Sequence, residues 1–404
     1  MGLRPGAWAL SVVVLLCTSL ATAGAPTQAG VSFSPAELQA IRAHGPWPPA
    51  RAQDPGNAQS GNKAAIALGQ QLFFDPRLSK DATLACASCH IPGLAFADGR
   101  ARSVGREMLD RNAPSLWNAV HERWMGWDGA ADSIWSQSIR PLLDPREMAS
   151  SAQAIAESIA SDKSLSCRYR QVYQQDPLQD PQTTLVNAAK AIAAFTATLV
   201  SGRTPFDAFR DALNNKAKVK PPYPLSAQRG LQLFVGRGQC TLCHVGPMFS
   251  NGEFADTGLP FFIKPGVVDP GRHQGITDLQ ASAYNLMSRW SDDPEGVITV
   301  KTRQVDLQHR NFGEFKVPGL RNVAVTAPYM HNGQLRTLPE VVRHYSELNL
   351  DRLHADGEQI LKPLRLTQRE AADLVSFLTT LTDRNATRWQ PPVLRACTLK
   401  STAP

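Results

Sequence analysis

The fold is decided by an arrangement that occurs twice along the 404-residue chain. Gly69-Gln-Gln-Leu-Phe73 precedes Cys86-Ala-Ser-Cys89-His90, and Gly230-Leu-Gln-Leu-Phe234 precedes Cys240-Thr-Leu-Cys243-His244. Each apolar segment has the residue spacing of a helix, and each is followed by two cysteines and a histidine in a fixed order. Two copies of one helix-then-motif arrangement indicate two related domains.

The Cys-x-x-Cys-His pattern suits one class of cofactor. Its two thiols can form thioethers with the two vinyl groups of a haem, while the adjacent imidazole binds the iron. A redox-active cysteine pair does not need the histidine, and a zinc site would need further clustered ligands. We therefore predict two covalently bound c-type haems, attached by Cys86–His90 and Cys240–His244.

The first 25 residues predict export. Arg4 precedes the apolar run Ala7–Leu16, and small residues with an A-x-A cleavage pattern follow, which is typical of a signal peptide over 1–25. Cys17 could carry a lipid, but Leu16 occupies the position where a lipoprotein signal has a small residue. No later segment has the roughly 20 apolar residues that span a bilayer. We expect a periplasmic protein without a membrane span.

Composition narrows the class of partner. The chain is 43% apolar and 19% charged, so it can bury a large core. Its net charge is +7, but the basic residues are scattered apart from Lys216-Ala-Lys-Val-Lys220, and no basic stripe interleaved with aromatics occurs. Nucleic-acid binding is therefore not expected. An acidic partner and a plain solvated surface both fit this charge.

Periodicity and turn residues divide the chain into segments of a mainly α protein. The expected order is a leader at 26–60, a domain at 61–213, a linker at 214–224, a domain at 225–390 and a tail at 391–404. The clearest helical patterns cover Lys63–Phe74, Thr183–Leu199, 225–235, 337–348 and 367–382, and a shorter one covers Pro35–His44. Cys167 and Cys397 could pair in an oxidising compartment or stay as two free thiols.

Four motifs carry a resemblance to a known family. They are Leu72-Phe-Phe-Asp-Pro-Arg-Leu-Ser79, Arg111-Asn-Ala-Pro-Ser-Leu-Trp-Asn118, Trp127-Asp-Gly129 and Pro318-Gly-Leu-Arg-Asn-Val-Ala-Val-Thr-Ala-Pro-Tyr-Met-His-Asn-Gly333. In their order and spacing they resemble the bacterial dihaem cytochrome c peroxidases and the related MauG-type enzymes, over about 60–385. The resemblance implies two cytochrome c-like helical domains, with a peroxide-binding haem in the first and an electron-transfer haem in the second.

The sixth ligands distinguish the two haems. The family's peroxidases that need activation by reduction carry a distal histidine in the loop before the Arg-Asn-x-Pro segment. The corresponding loop here, Ile91–Asp110, contains no histidine. An iron with an open sixth position can bind peroxide. The resemblance therefore implies a permanently open haem at His90, as in the MauG-type enzymes.

Five residues are candidates for the sixth ligand of the second haem: Met248, Met330, His331, His344 and Tyr345. The family's peroxidases have a methionine seven residues after the leucine that follows the Tyr-x-His-x-Gly segment, and the MauG-type enzymes have a tyrosine there. Counting from Leu338 reaches Tyr345. A phenolate stabilises oxidised iron, whereas a thioether favours the reduced state. Without the resemblance, a tyrosine on this helix is more often a half-buried packing residue than a ligand.

The resemblance also assigns residues around the open haem. Glu147 matches the family's distal carboxylate, which can move the proton that peroxide cleavage requires, and Gln137 matches its distal glutamine. Trp127 matches the tryptophan between the two haems, where an indole can relay electrons. Taken alone, Glu147 beside Arg146 is typical of a solvated surface, and Trp127 is typical of core packing.

A calcium ion between the domains is implied as well. Its expected ligands are Asn112 and the backbone carbonyls of Thr326 and Pro328, which are the hard oxygen donors that calcium prefers. Asn112 could instead cap a helix.

One position departs from the MauG enzyme of the family. That enzyme has an aromatic residue two positions before its second haem motif, where this chain has Gly238. Maturation of methylamine dehydrogenase is therefore not expected. Another protein could still be oxidised through a surface residue such as Trp124 or Trp290.

Three classes of function remain. The first is an exported dihaem enzyme that reduces hydrogen peroxide with electrons from a small cytochrome, a copper protein or a side chain of a protein substrate. The second is a non-catalytic dihaem electron-transfer cytochrome, which needs two six-coordinate irons. The third is a structural or haem-sensing module. The missing distal histidine and Glu147 favour the enzyme.

Overall fold

The computed structural model describes residues 1–2, 30–50, 54–214, 221–259, 262–351 and 359–398. Nearly all of the predicted signal peptide, including Cys17, lies outside these residues, as does Lys216–Lys220 of the predicted linker. Among the described residues, no helix combines the length and apolar character needed to cross a membrane.

Helices dominate the described chain, as the mainly α prediction requires. They are α1 Pro35–Ala43, α2 Lys63–Phe73, α3 Cys86–Cys89, α4 Ile134–Leu143, α5 Ala152–Ser161, α6 Lys163–Tyr173, α7 Pro181–Thr196, α8 Pro205–Asn214, α9 Leu225–Val235, α10 Arg272–Ala281, α11 Val300–Arg303, α12 Leu338–Glu347 and α13 Gln368–Thr379. Short strands form two antiparallel pairs: β1 Phe254–Ala255 with β4 Phe315–Lys316, and β2 Phe262–Lys264 with β3 Val267–Val268.

Every helical pattern singled out from the sequence is a helix in the structure. The predicted ends lie within a few residues of the observed ones, because capping side chains define the starts: Thr337 caps α12 and Thr367 caps α13. The helices that the patterns missed include α6, which is rich in polar residues, and α10, which contains Gly275. Tertiary packing stabilises such helices where the local pattern is weak.

A first hydrophobic core forms around α2 and α7. Leu68 and Phe73 of α2 pack against the buried length of α7, including Phe195. Trp389, near the carboxyl end of the chain, also packs on this core and contacts Phe96 edge to face.

A second core forms around α9 and α13, where Phe234 contacts Phe377. Two elements join this core from outside the predicted second domain. Ile41 of α1, in the predicted leader, is fully buried in it, and so is Phe206 of α8, which precedes the predicted boundary. The helical pattern of α1 was visible in the sequence and that of α8 was not singled out, and the core that each helix covers is a tertiary property. The division at 214–224 stays a prediction.

The repeated glycines explain the internal repeat of the sequence. A Cβ on Gly69 would lie 1.9 Å from the backbone oxygen of Ala191 in α7, and a Cβ on Gly230 would lie 2.0 Å from that of Asp373 in α13. Each glycine therefore lets two helices cross at backbone contact. The same crossing is built twice, once in each core.

The predicted tail is fastened to the first core. Cys167 of α6 and Cys397 form a disulfide with a Cα–Cα distance of 6.0 Å, which settles the alternative that the sequence left open. Gln70 donates to the carbonyl of Pro392 at 2.7 Å, and Trp117 Nε1 donates to the carbonyl of Ala386 at 3.0 Å. The chain end thus returns to the core that its amino-terminal half forms.

We expect Gly69→Ala and Gly230→Ala each to lower the free energy of unfolding by about 1–3 kcal/mol, because the added methyl group meets backbone that cannot move aside. Urea denaturation followed by circular dichroism measures this loss. Gly93→Ala is the control, since nothing lies within 4 Å of its Cβ position. Equal stability of all three variants would contradict the close-crossing interpretation.

Candidate functional site

The two motif histidines have the same surroundings. Nδ1 of His90 donates to the carbonyl of Phe96 at 3.1 Å, and Nδ1 of His244 donates to the carbonyl of Phe249 at 2.9 Å. Burial lowers the pKa of both imidazoles, so they are neutral. This tautomer leaves Nε2 with its lone pair, as a metal ligand requires, and the carbonyl orients the ring.

One segment in each half of the molecule, around Asn118 and around Asn322, has the same backbone conformation and the same type of hydrogen bond. Asn118 and Asn322 both have left-handed backbone conformations, with φ of 69° and 64°. Asn118 N donates to the carbonyl of Leu199 at 2.7 Å, and Asn322 N donates to that of Leu381 at 2.9 Å. The two halves of the molecule therefore repeat the support of the histidine as well as the motif.

The thiols of the two motifs form no disulfide, and all four cysteines are half-buried. Burial raises the pKa of Cys86 and Cys240 to about 12 and that of Cys89 to about 11. A redox-active pair would have a lowered thiol pKa instead. No group of three or more His, Cys, Asp or Glu side chains suited to a metal ion occurs among the described residues. Protonated, paired thiols beside an oriented imidazole fit a covalently attached haem.

A cavity of about 450 Å³ adjoins the second motif. Its walls include Cys240, Cys243 and His244, and Tyr345 of α12 also lines it. The size and the mainly apolar lining fit a haem.

Four of the five candidate ligands line this cavity, namely Met248, Met330, His331 and Tyr345. His344 does not, because its Nε2 is hydrogen-bonded to the carbonyl of Thr257 at 2.8 Å. The hydroxyl of Tyr345 makes no hydrogen bond to another described residue. Burial raises the pKa of Tyr345, with the two motif thiols adding to the shift. Tyr345 therefore lines the same cavity as these cysteines and His244, and its role as a ligand stays a prediction.

Glu147 lies beside the first motif. Cys89 Sγ lies 3.9 Å from the carbonyl oxygen of Val104, in the same loop whose Arg106 N donates to the carbonyl of Glu147, and the negative charge of Glu147 contributes to the raised pKa of Cys86 and of Cys89. Burial, reinforced by the charge of Asp144, raises the pKa of Glu147 to about 7. A carboxyl group with this pKa can both accept and donate a proton near neutral pH.

The loop without a histidine holds Glu147 in place. Arg106 N donates to the carbonyl of Glu147 at 3.2 Å, and Glu107 N donates to that of Arg146 at 3.0 Å. Gly105 allows this contact, since a Cβ there would lie 2.6 Å from the carbonyl oxygen of Arg146. The loop Ile91–Asp110 therefore packs on the backbone of the candidate acid–base residue.

Trp127 joins the two halves of the molecule. Its ring lines the second cavity, and its Nε1 donates to Oδ1 of Asn112 at 2.9 Å. Lys316 N donates to the carbonyl of Trp127 at 2.8 Å, and Asn112 N donates to the carbonyl of His331 at 2.9 Å. These two bonds cross reciprocally between segments of the first and second halves. Gln137 of α4 lies nearby, with Oε1 3.6 Å from the Cβ position of Gly126.

Several known proteins are similar to this chain. A family model described as di-haem cytochrome c peroxidase matches residues 63–215. The methylamine utilization protein MauG of Methylorubrum extorquens is 32% identical over 93% of both chains. The cytochrome-c peroxidase IdrP2 of Pseudomonas sp. is 34% identical over 83% of this chain and 84% of its own length. A crystal structure of a MauG-like protein associated with microbial copper homeostasis is 26% identical, has a TM-score of 0.62 and covers 85% of this chain and 97% of its own.

This chain belongs to the dihaem cytochrome c peroxidase and MauG family. It is an oxidoreductase of that family, and its mainly helical fold with small sheets agrees with the solved neighbours. The prediction made from the motifs is thereby confirmed at the level of family and enzyme class.

The residues expected to hold calcium come together in this family member. Asn112, Thr326 and Pro328 all line the second cavity, and Nδ2 of Asn112 donates to the carbonyl of Pro328 at 3.1 Å. The Oδ1 atom of Asn112, which would bind the ion, accepts from Trp127 instead. A calcium site would therefore consist of neutral oxygens only and would need this amide to turn.

Gly238 has a packing reason to lack a side chain. A Cβ there would lie 2.6 Å from the carbonyl oxygen of Leu233, so the aromatic residue of the MauG enzyme does not fit without a backbone shift. The expectation that Trp124 is a surface residue is wrong, because Trp124 is only 3% exposed. Trp290 is half-buried, with Arg289 over its ring at 4.4 Å.

One buried ionic group was not found from the sequence. Arg111 forms ion pairs with Asp269 at 2.6 Å and with Asp128, the residue after Trp127. Burial and the Arg111 charge act in opposite directions on Asp128, and the net pKa is lowered. Arg111 and Asp128 belong to family motifs, but the distant Asp269 gave no signal, because ion pairing across the chain leaves no local pattern.

We expect Glu147→Gln to slow the reaction with hydrogen peroxide by about 100-fold, because the amide cannot accept the peroxide proton. In the parent protein the same rate should fall as the pH drops below about 7, where Glu147 becomes protonated, and the variant should lack this dependence. Stopped-flow absorbance over a pH series measures both. The exposed Glu107, changed to Gln, is the control, and a pH profile unaltered by Glu147→Gln would remove Glu147 from the site.

We expect Tyr345→Met to raise the reduction potential of the haem at His244, because a thioether stabilises reduced iron and a phenolate does not. Spectroelectrochemical titration measures this potential. Tyr329→Phe is the matched control, since Tyr329 lines the same cavity but its hydroxyl donates to the carbonyl of Val323 at 3.0 Å. An unchanged potential and spectrum in Tyr345→Met would reject Tyr345 as the ligand.

Proposed function

We propose that this protein is a periplasmic dihaem peroxidase that reduces hydrogen peroxide at a haem bound by Cys86, Cys89 and His90. The electrons reach this haem from a second one, bound by Cys240, Cys243, His244 and Tyr345. The observation that carries the proposal is Glu147, a carboxyl group with a pKa of about 7 held against the first motif by a loop that contains no histidine.

Each residue has a chemical task in this proposal. When bound, the haem supplies the open iron position and the redox equivalents for cleaving the oxygen–oxygen bond. Glu147 accepts the proton from one peroxide oxygen and returns it to the other, which its pKa permits near neutral pH. Gln137 orients peroxide through its side-chain amide. His90 and His244 would hold the irons through Nε2, because Nδ1 of each ring donates to a backbone carbonyl.

Trp127 is proposed as the electron relay between the two haems. Its Nε1 is held by Asn112, so the indole keeps one orientation beside the second cavity. An oxidisable side chain at this position divides a long electron transfer into two shorter ones. Calcium, if bound by Asn112, Thr326 and Pro328, would orient the same asparagine.

The proposal has two forms, which differ in the identity of the electron donor. Some relatives are named cytochrome-c peroxidases, which suggests a small redox protein as donor, and others are named MauG. The candidate ligand Tyr345 favours the second form, in which a side chain of a protein substrate is oxidised, since phenolate ligation disfavours reduction of its haem. A non-catalytic electron-transfer cytochrome would need a sixth protein ligand at both irons, and the loop Ile91–Asp110 offers no histidine for the first.

Stopped-flow spectroscopy of the oxidised holoprotein with one equivalent of hydrogen peroxide, without reductant, tests the proposal. We expect both haem spectra to change within the first turnover, because the first site needs no prior reduction to open. A reaction that occurs only after one haem has been reduced would instead identify a cytochrome c peroxidase with a closed resting state. No reaction in either state would support the electron-transfer cytochrome.

A further inference from the structure

Two tryptophans three residues apart have opposite surroundings. Trp127 lines the second cavity, and its Nε1 has the acceptor Asn112 Oδ1. Trp124 is 3% exposed, and its buried Nε1 has no hydrogen-bond partner among the described residues. The two indoles therefore differ in whether the N–H proton can move when an electron leaves the ring.

Three cations surround the ring of Trp124. The guanidinium carbon of Arg272 lies 4.4 Å from the ring centroid, the Nζ atom of Lys301 lies 5.2 Å away, and the guanidinium carbon of Arg123 lies 5.8 Å away. Cations over an indole face are attracted to the neutral ring. They repel the positive charge that the ring acquires on losing an electron.

Two of these cations face the ring without a carboxylate partner of their own. Arg272 Nη1 donates to the carbonyls of Asp128 and Gly129 at 3.1 and 2.8 Å. Lys301 Nζ donates to the carbonyls of Arg123 and Asp132 at 2.5 and 2.7 Å. Both groups are therefore hydrogen-bonded to neutral oxygens, and burial lowers the pKa of Arg272 to about 10 and that of Lys301 to about 8, so the attraction of nearby carboxylates does not offset their desolvation.

The carboxylates of Asp128 and Asp132 have other hydrogen-bond donors, although Oδ1 of Asp132 has none among the described residues and its charge acts on Lys301. Asp128 pairs with Arg111, and Oδ2 of Asp132 accepts from Thr302 at 2.8 Å and from the backbone of Leu286. Arg123 differs from the other two cations around Trp124, because its side chain is half exposed and pairs with Glu253. Its charge is neutralised and screened by solvent.

We propose that Arg272 and Lys301 keep Trp124 reduced and thereby confine oxidising equivalents to Trp127. This inference rests on the proposed peroxidase function. Hydrogen peroxide takes up two electrons and two protons to give two water molecules, and a nearby indole can supply one of those electrons. The two cations oppose electron loss from Trp124, and its unpartnered Nε1 cannot release the proton that would stabilise the oxidised ring.

The family motif Trp127-Asp-Gly129 contains the proposed relay residue and also the two carbonyls that bind Arg272. Gly129 has φ of 66°, and a Cβ there would lie 2.4 Å from Nη1 of Arg272. The carbonyls of Asp128 and Gly129 hold that guanidinium over Trp124. The segment that carries the relay residue therefore also seats the cation that protects its neighbour.

Freeze-quench EPR of the holoprotein, mixed with excess hydrogen peroxide and no donor, tests this proposal. We expect Arg272→Gln and Lys301→Gln to gain a second tryptophan radical, about tenfold above the parent level at that site. The signal should disappear when Trp124→Phe is added to either variant. Arg272→Lys, which keeps the charge, should behave like the parent protein.

Arg123→Gln is the matched control, because it removes a cation from the same ring whose charge Glu253 already neutralises. It should gain no radical. A Trp124 radical as strong in the parent protein as in the two glutamine variants would overturn the proposal.

A second oxidant separates this proposal from the peroxidase function. Light-generated tris(bipyridine)ruthenium(III) removes single electrons from tryptophan without peroxide chemistry. The glutamine variants should again gain the Trp124 radical with this oxidant, even if the protein does not react with hydrogen peroxide. Failure with both oxidants contradicts the role of the cations, whereas failure with peroxide alone contradicts only the proposed function.

Discussion

Among the backbone hydrogen bonds that join the halves of this molecule, two lie at Trp127 and Asn112, and the candidate site depends on them. Lys316 N reaches the carbonyl of Trp127, and Asn112 N reaches that of His331. The first bond has its donor, Lys316, in the second half and its acceptor in the first half. The second bond has its donor, Asn112, in the first half and its acceptor in the second half. This reciprocity orients Trp127 against the second cavity, and because backbone groups make both bonds, it does not rely on side-chain conformations.

The surroundings of this junction are strongly charged for a buried region. Arg111 bridges Asp128 and Asp269, and Arg272 lies against the carbonyls that follow Trp127. Breaking a buried ion pair leaves an uncompensated charge, so these contacts allow few alternative arrangements of the turn. In our proposal, Arg272 also makes Trp124 harder to oxidise than Trp127. A structural junction can thus also decide which aromatic ring gives up an electron.

Much of the fold follows from local patterns. The helices α2, α9, α12 and α13 have apolar residues at helical spacing, and their ends coincide with capping residues such as Thr337 and Thr367. The repeated glycine before each motif also has a local trace, although its reason, a helix crossing at backbone contact, is visible only in three dimensions. Polar or glycine-containing helices such as α6 and α10 were missed because distant packing stabilises them.

By itself, the sequence determined that the protein has two Cys-x-x-Cys-His sites in a mainly helical chain, because thioether attachment and iron ligation impose a short, fixed spacing. It also indicated the family, which the relatives confirm. Only the tertiary structure decided that Trp124 is buried among cations, that α1 and α8 join the second core, and that Cys167 pairs with Cys397. Burial, charge pairing and disulfide geometry depend on residues far apart in the chain, so no local pattern encodes them.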